Sequence, residues 1–120
     1  MKKPVVHFEI GCSDIPKTVD FYQKIFDWNI VAHGNTAAVD TGVPDAIPGH
    51  INKLGPEDPQ QYITFYIETD TIEQDLAAIV ENGGEIFVGP LPLPDGRSFA
   101  WFHDVAGNKV GLITPSGSES

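Results

Sequence analysis

The residues best suited to acid–base chemistry, His7 and Glu9, lie near the N-terminus. One residue separates them in a run that alternates between apolar and polar side chains, so a β-strand would place both on one face, about 6–7 Å apart. An imidazole and a carboxylate at this spacing suit general acid–base catalysis near neutral pH. We therefore take His7 and Glu9 as candidate catalytic residues, with a hydrogen-bonded core histidine as the alternative for His7.

The composition and net charge of the chain limit which kinds of partner it is expected to bind. The chain has 120 residues, enough for one domain with a buried core, and 41% of them are hydrophobic. Asp and Glu number 17 against 7 for Lys and Arg, and the net charge of −10 repels phosphate backbones and anionic lipid headgroups. We expect a small-molecule ligand as the partner, and neither nucleic acid nor a membrane.

The sequence also bears on the cellular compartment. No apolar stretch approaches the roughly 20 residues that cross a bilayer, and the N-terminus lacks the apolar core of a signal peptide. Cys12 is the only cysteine, so it has no partner for an internal disulfide. Both observations lead us to expect a cytoplasmic protein.

An internal repeat determines the predicted fold. The strand at 5–10 aligns without a gap on a strand at 62–67, and the helical stripes that follow the two strands align as well. Each helix is followed by three segments with strand character, at 28–32, 36–41, 50–54, 85–88, 98–103 and 108–114. The chain is thus predicted to be a single α+β domain over residues 1–115 that contains two βαβββ units.

The boundaries of the two units follow from turn-forming residues. The first unit is predicted at about 4–54 and the second at about 62–114, with a polar, proline-containing linker at 55–61 and a flexible tail at 116–120. The segment 89–97 contains three prolines and is expected to form a lip over a ligand cleft. Arg97 in this lip is a candidate partner for an anionic ligand.

The polar faces of the two aligned strands are the candidate ligand surface. On each strand one face is apolar and is expected to pack under the following helix. The other face of the second strand carries Tyr62, Thr64 and Tyr66, which suit contact with a small organic molecule. We predict that these three residues bind the ligand, together with Trp101 on a later strand.

Three segments carry a family resemblance. They are residues 6–10, 21–28 and 102–112, with the sequences VHFEI, FYQKIFDW and FHDVAGNKVGL. Together they resemble the opening and closing signatures of the vicinal-oxygen-chelate superfamily of glyoxalases, bleomycin resistance proteins and dioxygenases, and within it the branch related to lactoylglutathione lyase. The resemblance spans nearly the whole chain. It implies two βαβββ units whose curved mixed sheets enclose a cleft.

The resemblance also implies where a metal would bind. Metal-using members place ligands on the first and last strand of each unit, and the matching positions here are His7, His50, Thr64 and Gly111. Glycine has no side-chain donor and threonine is a weak transition-metal ligand, so the usual metal site is predicted to be incomplete. The alternatives are no cofactor, or zinc, nickel, iron or manganese held by His7, Glu9 and His50.

Three functions are compatible with the resemblance, the third being a dimeric interaction module whose cleft is filled by its own side chains. The first is an enzyme related to lyases, isomerases or dioxygenases that acts on a small organic molecule in the cleft, through a metal or through His7 and Glu9. The second is a non-catalytic protein that binds or sequesters a small molecule, as bleomycin resistance relatives do. The units could pair within one chain or across a dimer, and we expect a homodimer.

Overall fold

The computed structural model describes residues 2–56 and 62–115. Within these ranges it contains eight strands and two helices, which divide into two compact units. The N-terminal unit comprises residues 7–64, and the C-terminal unit comprises residues 1–6 together with 65–120, so far as they are described. Most of the predicted linker, 57–61, and the predicted tail, 116–120, lie outside the described residues.

The N-terminal unit has a mixed sheet of four strands in the order β2-β3-β4-β1. β1 and β4 are parallel, whereas β2 with β3 and β3 with β4 are antiparallel. The elements are β1 (Val5–Cys12), α1 (Ile15–Phe26), β2 (Asn29–His33), β3 (Thr36–Asp40) and β4 (Gly49–Lys53).

The C-terminal unit repeats this topology. Its strands follow the order β5-β8-β7-β6, with β5 and β8 parallel and the other pairs antiparallel. The shared order confirms the predicted α+β fold of two βαβββ units. The elements are β5 (Tyr62–Glu68), whose first three residues belong to the N-terminal unit, and α2 (Ile72–Glu81), β6 (Glu85–Pro92), β7 (Ser98–His103) and β8 (Lys109–Ile113).

The two helices begin differently. The Asp14 carboxylate accepts a 3.0 Å hydrogen bond from the backbone N–H of Lys17 and so caps α1. Thr71 at the start of α2 makes no such cap, and its hydroxyl instead accepts a 2.7 Å bond from Lys3 Nζ, which also pairs with Asp75 at 3.0 Å. Neither helix of the described residues is long and apolar enough to cross a membrane.

The core of the N-terminal unit lies between its sheet and α1. Phe8 and Ile10 contribute to it from β1, as the apolar face of that strand predicted. Tyr22 and Trp28 pack against it with their rings parallel and their centroids 5.2 Å apart. The buried members of this core are Ile10, Ile15, Ile30, Ala37, Val39 and Ile51.

The core of the C-terminal unit differs from the prediction that the apolar face of β5 packs under α2. Ile67 on β5 packs against it, but Phe65 is 43% exposed and Ile63 74% exposed. The apolar face of β5 is therefore only partly covered, whereas α2 packs against β6 and β7. The buried members of this core are Ile72, Leu76, Ala100, Phe102, Val110 and Leu112.

The proline-rich segment also differs from its prediction. β6 continues to Pro92, so residues 89–92 of the expected lip belong to a strand. β6 is the last strand in its unit's sheet, where proline costs no ladder hydrogen bond, and its pairing with β7 is irregular. The connection proper is short and closes with a 2.7 Å hydrogen bond from the Leu93 N–H to the Arg97 carbonyl.

Candidate functional site

Two parallel strands position the polar residues of the N-terminal unit. β1 and β4 pair with Glu9 opposite His50, and neighbouring strands direct opposed side chains to one face. Because Phe8 and Ile10 point into the core, His7 and Glu9 point away from it. The register therefore brings His7, Glu9 and His50 together on one face.

These three residues form a chain of polar contacts. His7 Nε2 lies 2.7 Å from His50 Nδ1, a hydrogen bond in which one of the two nitrogens carries the proton. The other ring nitrogen of His50, Nε2, lies 3.4 Å from Glu9 Oε1, an ion-pair distance. His50 thus stands between its two partners and turns a different nitrogen to each.

Glu9 is the buried end of this chain. Its side chain is 1% exposed, against 27% for His50. The Tyr62 hydroxyl donates a hydrogen bond to Glu9 Oε2, so both carboxylate oxygens have a partner. Burying a carboxylate is costly unless such partners replace water. Tyr62 and His50 therefore stabilise Glu9 in its buried position.

Gly11 makes room for the Tyr62 ring. It follows Glu9 by two residues, on the same face of β1, and a Cβ at this position would lie 2.6 Å from Tyr62 Cε2. Any larger residue would therefore displace the ring. Sequence reasoning missed Gly11, although a glycine inside a strand often marks the close approach of another group.

The donor geometry tests whether His7, Glu9 and His50 fit a metal ion. A zinc ion needs ligand atoms that converge on one point from about 2.0–2.3 Å. His50 turns Nδ1 to His7 and Nε2 to Glu9, so the three donors do not converge. Within residues 2–56 and 62–115, no group of three or more His, Cys, Asp or Glu could hold a metal. A three-ligand centre does not fit this arrangement, and metal binding stays a prediction for elemental analysis to test.

The equivalent face of the C-terminal unit is aromatic. β5 pairs with β8 with Tyr66 opposite Gly111, the positions that match Glu9 and His50 in the repeat. A Cβ at Gly111 would lie 2.3 Å from Cδ2 of Tyr66, so the ring fills the space over the glycine. Thr64, which matches His7, is buried. An aromatic ring therefore occupies the place over Gly111 where the resemblance implies a metal ligand.

Trp101 extends this aromatic face. It pairs with Gly111 across β7 and β8, and its Nε1–H donates a 2.7 Å hydrogen bond to the Tyr66 hydroxyl. The Phe87 ring stacks beside the Trp101 ring with centroids 6.2 Å apart. Lys109 Nζ lies 3.5 Å from the centroid of the Trp101 ring. Two predicted ligand-binding residues, Tyr66 and Trp101, are thus brought together. Lys109 was not predicted, because nothing in its local sequence distinguishes it from a solvated lysine.

Arg97 is engaged with its neighbour. Its Nε donates a 2.8 Å hydrogen bond to Asp95 Oδ2, and its backbone N–H donates to Oδ1 at 3.1 Å. These hydrogen bonds, the backbone one above all, hold the pKa of Asp95 below its ordinary value. An anionic ligand would have to compete with Asp95 for Arg97.

A cavity of about 580 Å³ opens beside Tyr62 in the N-terminal unit. It lies where β1 leads into α1, and its lining includes Cys12, Lys17 and Tyr22. Its size falls in the range of roughly 300–1,000 Å³ that small-molecule pockets occupy. Because Tyr62 also donates a hydrogen bond to Glu9, a ligand in this cavity would contact a residue that is bonded to Glu9.

Comparison with known proteins identifies a family whose members are similar to this chain in sequence. The family model of the glyoxalase/bleomycin resistance protein/dioxygenase superfamily matches residues 5–112. A glyoxylase-like domain-containing protein of Didymella fabae is 29% identical over 118 residues, which cover 91% of each chain. These matches confirm the resemblance that the strand and helix signatures carry.

Solved structures share the fold at low sequence identity. A hypothetical protein from Bacillus halodurans C-125 is similar with a TM-score of 0.72 and 15% identity, over 100% of this chain and 99% of that one. Methylmalonyl-CoA epimerase from Streptomyces coelicolor, in complex with 2-nitronate-propionyl-CoA, gives a TM-score of 0.64 and 17% identity over the same shares. At such identities the likeness shows the fold alone.

Proposed function

The chain belongs to the glyoxalase/bleomycin resistance protein/dioxygenase superfamily, and on that premise we propose that it is an enzyme that moves a proton on a small carbonyl compound. The observation that carries the proposal is the row of polar contacts from Glu9 through His50 to His7. In it a buried carboxylate faces one imidazole, which is hydrogen-bonded to a second imidazole. An oriented base beside a carboxylate is the arrangement that proton abstraction requires.

The contacts suggest how the protons are arranged before reaction. Ionised Glu9 favours a proton on His50 Nε2, the nitrogen that faces it, and His50 Nδ1 then carries a lone pair. That lone pair accepts a hydrogen bond from the N–H at His7 Nε2, so the ring nitrogen of His7 that carries a lone pair is Nδ1. We assign the His7 imidazole as the base that takes the proton from the substrate.

Glu9 and His50 stabilise the positive charge that this proton transfer creates on His7. When His7 takes up a proton its ring becomes positive, and the hydrogen bond to His50 links that charge to the Glu9 carboxylate. A carboxylate that orients an imidazole and stabilises its charged form plays the same part in hydrolytic triads. Return of the proton to another atom or face of the substrate completes an isomerisation, and loss of a leaving group completes a lyase reaction.

The charge of the protein bears on the substrate. With a net charge of −10, the molecule repels ligands that carry several negative charges. The neighbours named methylmalonyl-CoA epimerase are isomerising enzymes by name, which agrees with the proposed reaction class. Their acyl-CoA ligands are large and multiply charged, and we propose a smaller carbonyl compound for this protein.

Hydrogen–deuterium exchange tests the proposal without knowledge of the natural substrate. Untagged protein, with its metal content measured by elemental analysis, is incubated in D₂O with a panel of small ketones, 2-oxo acids and short thioesters. Loss of the signal of the α-hydrogen is followed by proton NMR. We expect exchange of at least one compound, slowed about 100-fold or more in His7→Gln, as for loss of a general base. His33→Gln is the matched control, since His33 is an exposed histidine on β2 of the same unit.

Three outcomes would contradict the proposal. Equal exchange by His7→Gln and His33→Gln would remove His7 from the chemistry. Exchange that a chelator abolishes and an added metal restores would indicate a metal-dependent reaction. Tight binding of panel compounds with no exchange of any of them would favour a binding or sequestration protein.

A further inference from the structure

The C-terminal unit carries a group of rings that the proposed reaction does not use. They stand on the face of β6 and β7 opposite the core, since Ala100 and Phe102 between them are buried. We propose that this group, here called the aromatic platform, is a binding site for a planar aromatic molecule with one negative charge. Its members are Phe87, Phe99, Trp101 and His103.

The rings of the platform contact one another and are accessible. Phe87 and His103 have centroids 4.8 Å apart, and Phe99 meets Trp101 edge to face at 5.7 Å. Phe87 is 45% exposed and the other three are half-buried. A set of half-buried rings provides flat apolar surface on which another ring can stack.

The repeat shows that the fold does not require these rings. In the N-terminal unit Ala38 lies opposite His50, in the place where the C-terminal unit has Trp101 opposite Gly111. By the same register Thr36 and Asp40 take the places of Phe99 and His103. The same sheet thus forms with small and polar residues on this face, so packing within the unit does not explain the aromatic residues.

Lys109 determines the charge of the proposed ligand. Its Nζ lies over the indole ring of Trp101, 3.5 Å from the centroid, in a chain with 17 acidic and only 7 basic residues. An ammonium group has three N–H donors, so Lys109 can serve a carboxylate in addition to its contacts with the protein. A flat ring stacked against the platform would bring its anionic substituent close to the Lys109 ammonium group.

The indole ring of Trp101 is oriented for such stacking before a ligand binds. Its Nε1–H donates to the Tyr66 hydroxyl at 2.7 Å, which fixes the plane of the indole ring. A ring that is already oriented loses little conformational freedom when a ligand binds. None of these residues belongs to the chain of Glu9, His50 and His7, so the inference does not depend on the proposed reaction.

Three related probes test the platform. 2-Naphthoate is planar, aromatic and anionic, 2-naphthamide lacks the charge, and cyclohexanecarboxylate lacks the aromatic ring. Calorimetry gives the affinities, and ¹H–¹⁵N NMR follows the indole N–H signals of Trp101 and Trp28, the two tryptophans of the chain. We expect 2-naphthoate to bind tightest and to shift the Trp101 signal, while the Trp28 signal stays in place.

Variants identify the contributions of charge and ring. Lys109→Gln should weaken 2-naphthoate about three- to fivefold, as for an exposed ion pair, and leave 2-naphthamide unchanged. Lys24→Gln, which removes an exposed lysine from α1, is the matched control and should change neither. Trp101→Leu should weaken both aromatic probes up to about tenfold by loss of stacking, with circular dichroism as the check on folding.

The inference is overturned by any of four results. These are no binding of 2-naphthoate, equal affinity for all three probes, a shift of the Trp28 signal alone, or the same affinity in Lys109→Gln and Lys24→Gln. The last comparison uses two surface lysines, so it stands even if Trp101→Leu does not fold.

Discussion

The two units share one backbone topology and differ in the face that points away from the core. In the N-terminal unit the paired positions hold Glu9 and His50, and in the C-terminal unit they hold Tyr66 and Gly111. One unit therefore carries a buried carboxylate with two imidazoles, and the other carries stacked rings. The pairing register decides which side chains meet, and the residue types alone decide whether the surface suits proton transfer or aromatic binding.

The two faces also depend on different interactions. A buried carboxylate is stable only while its hydrogen-bonding partners remain, whereas a ring over a glycine depends on the absence of a Cβ. Stability measurements on matched variants can separate these dependences, from the largest effect to the smallest.

The largest difference is expected between the two central polar groups. Glu9→Ala should lower the free energy of unfolding by about 3 kcal/mol, because it leaves a cavity and buried polar partners without the carboxylate. Tyr66→Phe, at the equivalent position, should cost only about 1 kcal/mol because it removes the hydrogen bond that the Tyr66 hydroxyl accepts from Trp101 Nε1. Urea denaturation measures both, and equal losses would show that the two faces are held in the same way.

Glycine substitutions test the one feature that the two faces share, a tyrosine ring beside a glycine. Gly111→Ala and Gly11→Ala should each lower the free energy of unfolding by about 2 kcal/mol, since each Cβ would overlap a ring. In Gly111→Ala combined with Tyr66→Ala the two effects should not add, because the overlap is gone. Additive losses in this double-mutant cycle would show that the clash is relieved elsewhere.

A smaller effect is expected at the start of α2, where the C-terminal unit uses Lys3 and Asp75 in place of a side-chain cap. Burial raises the pKa of Asp75, but hydrogen bonds from Thr69 and Lys3 and the charge of Lys3 outweigh it, so the pKa lies below its ordinary value of 3.8. A carboxyl with a lower pKa in the folded state stabilises that state above pH 3.8, and the contribution is lost as the pH falls through the folded value.

Asp75→Asn tests this contribution. At pH 7 the variant should be less stable by about 1 kcal/mol, and the difference should shrink as the pH falls below the ordinary pKa of a carboxyl. Urea denaturation at a series of pH values measures the difference. Asp20→Asn, at an exposed pair on α1, is the control and should show no comparable pH dependence. A difference that stays constant down to low pH would rule out the Asp75 charge as its source.

The smallest effect is expected at the exposed pair of Arg97 and Asp95. Arg97→Gln should leave the urea midpoint unchanged, because solvent screens this interaction. The variant should also bind 2-naphthoate as the unchanged protein does. A loss of affinity for 2-naphthoate would identify Arg97 as a ligand-binding residue.

Much of the fold could be predicted from periodicity. The aligned alternation at 5–10 and 62–67 and the helical stripes after it indicated the repeat, and the strand at 98–103 was predicted with the bounds that the structure has. The prediction was wrong where tertiary packing overrides local pattern. Ile63 and Phe65 look like core residues from the alternation of β5, yet both side chains are exposed.

The sequence by itself determined the α+β repeat and the polar faces of its first strands, because side chains alternate along a strand whatever lies around it. The placement of His7 and Glu9 on one face was predicted in this way, and their catalytic role, the cytoplasmic location and the homodimer remain predictions. Only the tertiary structure decided that His50 bonds to His7 and that Tyr62 reaches Glu9 over Gly11. Such contacts join residues far apart in the chain, and the register that creates them depends on how whole strands pair.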